Sequence, residues 1–284
     1  MNSRILLLLL LLILWIIVGL FLCNKYLCGL SAAVPAAAAA AAPAVIADDC
    51  DITWSVRDGS LFNSGKVDRN FRFRSSSFAL PATLNSDLST AVDKISDHLS
   101  DNAERGLTIT GYYDGDESNR SILANLGAAR ANTIKKLFTD KGIASNRINI
   151  DSRLAEDKCY RNDTLLTGAS LAFGDIANND TRLAAIKDRL FGKPITLYFA
   201  TDSDNLTLSA QQRTDFTDLI YYLDNVSGAS LGVDGHTDSV GNRDYNVNLS
   251  RERADFAKNY LQRNGGISLA RMNVNGFGLS LIHI

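Results

Sequence analysis

Gly235-His236-Thr237-Asp238, followed by Tyr245-Asn246 and then Asn248-Leu249-Ser250-Arg251-Glu252-Arg253-Ala254, is the stretch that decides the fold. A related string lies earlier: Gly111-Tyr112-Tyr113-Asp114, then Asn125-Leu126-Gly127-Ala128-Ala129-Arg130-Ala131. Gly111 and Gly235, Asp114 and Asp238, Gly142 and Gly266, and Arg147 and Arg271 each stand 124 positions apart. Arg130 and Arg253 stand 123 apart, so the first copy has one extra residue between its aspartate and its arginine. Each copy places an aspartate just after a strand and an arginine early in the following helix. A carboxylate there can take an ammonium. A guanidinium can take a carboxylate through two parallel hydrogen bonds. A helix N-terminus beside the arginine would add N–H donors. A zwitterion such as an amino-acid head group fits that pair.

Periodicity around the strings predicts an α+β chain of two β-α-β-α-β units. In the first, Ile52 to Val67 reads as a hairpin turning at Asp58-Gly59, and Phe71 and Phe73 mark a strand. Leu84, Leu88, Val92, Ile95 and Leu99 recur at helical spacing. Leu107 to Thr110 is a strand, Ala128 to Thr139 a helix, and Ile148 and Ile150 lie on the next strand. In the second, Ile195 to Phe199 reads as a strand, and Ser209 caps a helix to Leu223. Leu231 to Val233 is a strand, and Ser250 is expected to cap a helix to about Arg263 that Gly265-Gly266 stops. Met272 to Val274 begins a last strand. These readings set a first domain at 51–160, a linker at 161–192 and a second domain at 193–284.

Ile5 to Leu22 contains no charged residue. As a helix, its 18 residues would span about 27 Å, close to a bilayer's apolar thickness. It reads as an uncleaved single-pass anchor within 1–30, and a signal peptide cut near Ser31-Ala32-Ala33 is the alternative. Residues 31–50 are rich in alanine, broken by Pro35 and Pro43, and read as a tether. Under either leader reading the rest of the chain is exported. The inner membrane is favoured, with outer-membrane association as the alternative. Of four cysteines, Cys50 and Cys159 bracket the first domain and can pair in an oxidising compartment; two free thiols are the other reading.

The formal net charge of −2 offers no general attraction to nucleic acid. His98, His236 and His283 form no close set and accompany no nucleophile motif. No metal-ligand spacing appears, and no cofactor is expected. A cell-wall hydrolase would need a catalytic constellation that is absent from the sequence. An ion-driven stator would need an ionisable residue within Ile5 to Leu22, which has none.

Gly-His-Thr-Asp, Tyr-Asn, Leu-Ser and Arg-Ala, in this order, resemble the OmpA-like peptidoglycan-binding domain, over about Ile195 to Gly278. The resemblance implies a non-enzymatic protein that binds the cell wall and ties a membrane to it, alone or as a homo-oligomer or with envelope partners. It implies that Asp238 receives the ammonium of meso-diaminopimelate and Arg253 its carboxylate, with Thr237 and Asn246 shaping the pocket. The first copy, about Asn70 to Leu154, resembles the family loosely. Asp114 and Arg130 are kept, but Tyr112-Tyr113 replaces His-Thr, so a degenerate structural copy is expected there, with a second binding site as the alternative. After Gly276-Phe277-Gly278 the sequence departs from the pattern, and the second domain is expected to be incomplete at its C-terminal end.

Overall fold

The computed structural model of the chain describes residues 52–155, 159–176, 180–198, 207–238 and 242–279. All of them belong to one compact unit, Asp51–Ile284. The expected anchor, the tether, Cys50 and the tail after Leu279 lie outside the described residues. Among the described residues no helix is long and apolar enough to cross a membrane.

The fold is mixed α/β. Its first lobe opens with the expected hairpin: β1 (Arg57–Asp58) and β2 (Phe62–Asn63) pair antiparallel around Gly59, whose φ of 54° suits glycine. Asp58 turns inward, where Arg105 and the His98 ring bind it. β3 (Phe73–Arg74) is a short strand. Helix α1 (Ser86–Asp101) buries Leu88, Val92, Ile95 and Leu99 at the predicted period. β4 (Arg105–Tyr113), α2 (Leu126–Thr139) and β5 (Ile148–Leu154) form a parallel β-α-β unit, with α2 capped by the Asn125 side chain.

The segment expected as a linker at 161–192 is largely structural. β6 (Tyr160–Arg161) and β7 (Thr164–Leu165) join β3 in a small antiparallel sheet of order β3-β7-β6. β8 (Ala169–Asp175) pairs antiparallel with β4, giving a sheet of order β5-β4-β8. Ala169 and Leu171 alternate into the core on one face of β8. Helix α3 (Asp180–Leu190) comes next and lies on α4 (Ala210–Asn225), its Arg189 bonded to Asp215 and Asp218 and its Arg182 over the Tyr221 ring.

The second lobe contains α4, β9 (Leu231–Thr237), α5 (Arg243–Gly265) and β10 (Met272–Leu279). Ser209 caps α4 in a reciprocal box with Gln212. β9 and β10 pair in parallel. The strand expected from Ile195 has no ladder partner among the described residues. Ile195 and Leu197 pack on the core instead, and Gln212 Nε2 donates to the carbonyl of Thr196. The helix expected to start at Ser250 starts at Arg243, because the Asn242 side chain accepts from the N–H of Tyr245. Ser250 is fully buried inside α5, where its hydroxyl donates to the carbonyl of Val247 and accepts from the N–H of Gly278. The helix ends as expected, at Gly266 with φ 71°.

Matching contacts recur in the two lobes at a spacing of 124. Leu107 pairs with Ile148 and Leu231 with Met272. Arg147 donates to the carbonyls of Leu99, Asn102 and Arg105. Arg271 donates to those of Leu223, Val226 and Ala229, which are the same three positions. Each arginine closes the C-terminal end of a helix, where carbonyls lack intrahelical partners.

The lobes pack directly on one another. Ile122, Leu123, Ala128 and Ala129 of the first lobe belong to the same apolar cluster as Phe216, Ile220, Val233 and Leu261 of the second. Asn132 Nδ2 donates to the carbonyl of Gly265, and the N–H of Ala124 to Thr217 Oγ1.

Candidate functional site

Strand β9 and helix α5 build the second-lobe site. They approach so closely that a Cβ on Gly235 would overlap the carbonyl oxygen of Ser250. That approach brings Arg253, half-buried on α5, to the end of β9, where its Nη1 donates to the carbonyl of His236 at 3.2 Å. Asp238 is exposed, one residue past the end of β9. The site thus sits at the C-terminal end of a parallel strand, the usual position for ligands in α/β units. Arg253 lies ten residues beyond Arg243, the first residue of α5. The helix N-terminus is therefore about 15 Å away along the axis and adds no N–H donors at the guanidinium, contrary to expectation.

Thr237 ends β9 just before Asp238, and Asn246 lies on α5 ahead of Arg253; they are 4% and 1% exposed. Thr237 pairs with Leu279, and Asn246 lies against the neighbouring Gly278. Thr237 Oγ1 and both side-chain polar atoms of Asn246 are buried with no hydrogen-bond partner. A buried polar atom left unmatched costs about 1–3 kcal/mol. His236 is a strand residue whose ring stacks on Phe277 at 5.6 Å, and its carbonyl rather than its imidazole serves the arginine. Among the described residues no group of His, Cys, Asp or Glu could hold a metal.

The first lobe has a comparable strand–helix approach with different contents. A Cβ on Gly111 would overlap the carbonyl of Gly127, as Gly235 does with Ser250. Arg130 Nη1 donates to the carbonyl of Tyr112 at 2.8 Å, the counterpart of His236. Arg130, however, is 0% exposed. Its Nη1 and Nη2 also donate to the two oxygens of Glu117 at 2.9 and 2.6 Å. Nε and Nη2 reach the carbonyls of Ser77 and Arg74, and Phe73 lies under the guanidinium. The Glu117 carboxylate also accepts from the N–H groups of Ser76 and Asp114. Burial pushes the Glu117 pKa up, but the Arg130 guanidinium and the two backbone donors outweigh it and hold the carboxyl low. The nearby Tyr160 phenol is pushed up to about 12 by burial and by that charge.

Sequence reading missed Glu117. It stands in an acidic loop with Asp114 and Asp116 that looks solvated, and the extra residue between Asp114 and Arg130 was its available signal. Cys159 is buried and disulfide-bonded; its expected partner, Cys50, lies outside the described residues.

The OmpA family model matches residues 72–167 and 198–280, more than half of the chain. The peptidoglycan-associated lipoprotein of Buchnera aphidicola is 29% identical over 124 residues, covering 44% of this chain and 67% of that protein. Outer membrane porin F of Pseudomonas aeruginosa is 33% identical over 79 residues, covering 28% of this chain and 23% of that protein. The chain thus spans less than a quarter of porin F. The C-terminal domain of Helicobacter pylori MotB is 19% identical with a TM-score of 0.29, over 45% of this chain and 99% of that one.

Proposed function

The chain belongs to the OmpA family, and from that premise we propose that its second lobe binds peptidoglycan non-covalently through meso-diaminopimelate. Asp238 takes the ammonium, Arg253 the carboxylate, and Thr237 and Asn246 the polar atoms nearer the sheet. The observation that carries this reading is a half-buried arginine held at the C-terminal end of β9 by the carbonyl of His236, with Asp238 exposed just beyond that end. An ammonium and a carboxylate on one carbon complement such a pair, and the guanidinium fork supplies direction as well as charge.

In this reading the two lobes are a tandem. The equal register of β4/β5 and β9/β10 and the matching clamps at Arg147 and Arg271 support it. The first lobe is the degenerate copy and acts as a spacer. Ile5 to Leu22 anchors the chain in a membrane, and a Cys50–Cys159 disulfide closes the first lobe in the periplasm. The role is attachment of membrane to wall without turnover.

The full chain in detergent should sediment with purified peptidoglycan, and Asp238→Ala/Arg253→Ala should abolish sedimentation while leaving the melting curve in place. Undiminished sedimentation of that variant would remove the proposed site.

A further inference from the structure

Arg130 and Arg253 occupy the same place in the same frame, yet one is sealed and the other is half-buried. Each donates through Nη1 to a strand carbonyl, Tyr112 in one lobe and His236 in the other. The difference lies in what meets the outer fork of the guanidinium. In the first lobe that is the side chain of Glu117, whose oxygens each receive one guanidinium N–H and one backbone N–H. Oε1 takes Arg130 Nη2 and the N–H of Ser76. Oε2 takes Arg130 Nη1 and the N–H of Asp114. An ion pair needs only the arginine. Two backbone donors converging on the same carboxylate make a receptor for that group.

We propose that the first lobe is a carboxylate site occupied from within the chain. Glu117 holds the position that an external carboxylate would take, and its removal opens a site for small monocarboxylates. The first lobe is silent toward the cell wall because its own side chain fills it, with the receptor geometry intact. Helix α2 begins only four residues before Arg130, whereas α5 begins ten before Arg253, so the first lobe keeps a long loop after Asp114 that can fold back. The Asp114 side chain turns to the N–H of Asp116 at 3.2 Å within that loop. The comparison with Arg253 draws on the proposed second-lobe site, but the test does not involve peptidoglycan, so either reading can fail alone.

The test is chemical rescue in the full chain. Asp238→Ala/Arg253→Ala serves as background, so that the second lobe contributes no carboxylate binding. Glu117→Ala in that background is melted at pH 7 in sodium chloride and in sodium acetate of equal ionic strength. In chloride the midpoint should fall by about 8 °C, from loss of one partner of a buried pair. Acetate should recover roughly half of that fall, with a saturable dependence on its concentration. Glu117→Gln, which fills the same volume, should show no acetate-specific gain. If Glu117→Ala does not fold on expression, its refolding yield from urea in acetate against chloride gives the same reading. The proposal is overturned if acetate shifts Glu117→Ala no more than its parent, if refolding yields are equal, or if the alanine variant melts like its parent.

Discussion

Lys135 on α2 donates through Nζ to Asp224 Oδ2 on α4 at 2.9 Å, an ion pair that joins the two lobes with side chains only 7% and 22% exposed. Lys135 also donates to the carbonyl of Ile148, and Ser145 Oγ donates to the other Asp224 oxygen. Burial pushes the Lys135 pKa down and Asp224 opposes it. Asp224→Ala should therefore destabilise the chain by about 2–3 kcal/mol, since it leaves an ammonium without its carboxylate. Lys135→Met/Asp224→Leu should recover most of that loss. Urea midpoints of the two variants check both, and a double variant weaker than the single one would contradict the account.

Gly235 and Gly232 lie on one strand and should respond oppositely to alanine. A Cβ at Gly235 overlaps the backbone of Ser250, whereas one at Gly232 meets nothing within 4 Å. Gly235→Ala should cost about 3 kcal/mol or more through forced separation of β9 and α5. Gly232→Ala should be neutral or stabilise by about 0.5 kcal/mol through the unfolded chain. Equilibrium unfolding of the pair distinguishes a packing requirement from a general intolerance of the strand.

Thr237→Val should separate stability from binding. The substitution keeps the shape and removes a buried hydroxyl that has no partner. Stability should rise by about 1 kcal/mol. Affinity for a diaminopimelate-containing peptide, read by calorimetry, should fall about tenfold if Thr237 meets the ligand. A valine variant that binds as tightly as its parent removes Thr237 from the pocket.

Acid should weaken the first lobe in a defined window. Hydrogen bonds from Arg105 hold the Asp58 carboxyl low against its burial, with His98 assisting. Glu117 is held low by Arg130 and backbone donors against its burial. Both folded values lie below the unfolded ones. Their contribution is thus complete above the ordinary carboxylate range, about pH 4, and is lost as pH falls through the folded values. Urea midpoints should be level near neutrality and drop below about pH 4. Glu117→Gln should flatten part of that drop, and an unchanged slope in this variant would assign the drop elsewhere.

The helices were legible because apolar residues recur at helical spacing and because caps are local. Leu88, Val92, Ile95 and Leu99 set α1, and Ser209 with Gln212 set the start of α4. The start of α5 was misjudged because Asn242 and Ser250 are both plausible caps, and the hydroxyl of Ser250 is claimed by Gly278, far away in sequence. Strand β8 was hidden because Ala169 and Leu171 gain meaning only beside β4. The β9–loop–α5 order around Gly235 and Arg253 was readable from the sequence. The filling of the first lobe was not, since Glu117 becomes distinctive only once Arg130 is seen to be sealed.

Helix α5 carries Arg253 near its middle and ends at Gly265, whose carbonyl is held by Asn132 of the first lobe. Tension applied at the guanidinium would therefore travel along a continuous helix before it reached the other lobe. The flanking strands β9 and β10 run parallel, so a pull along them loads their ladder in shear. Bonds strained in shear yield together, whereas bonds peeled from one end yield in turn. A second lobe loaded in this way would resist force as a clamp whose strength is collective.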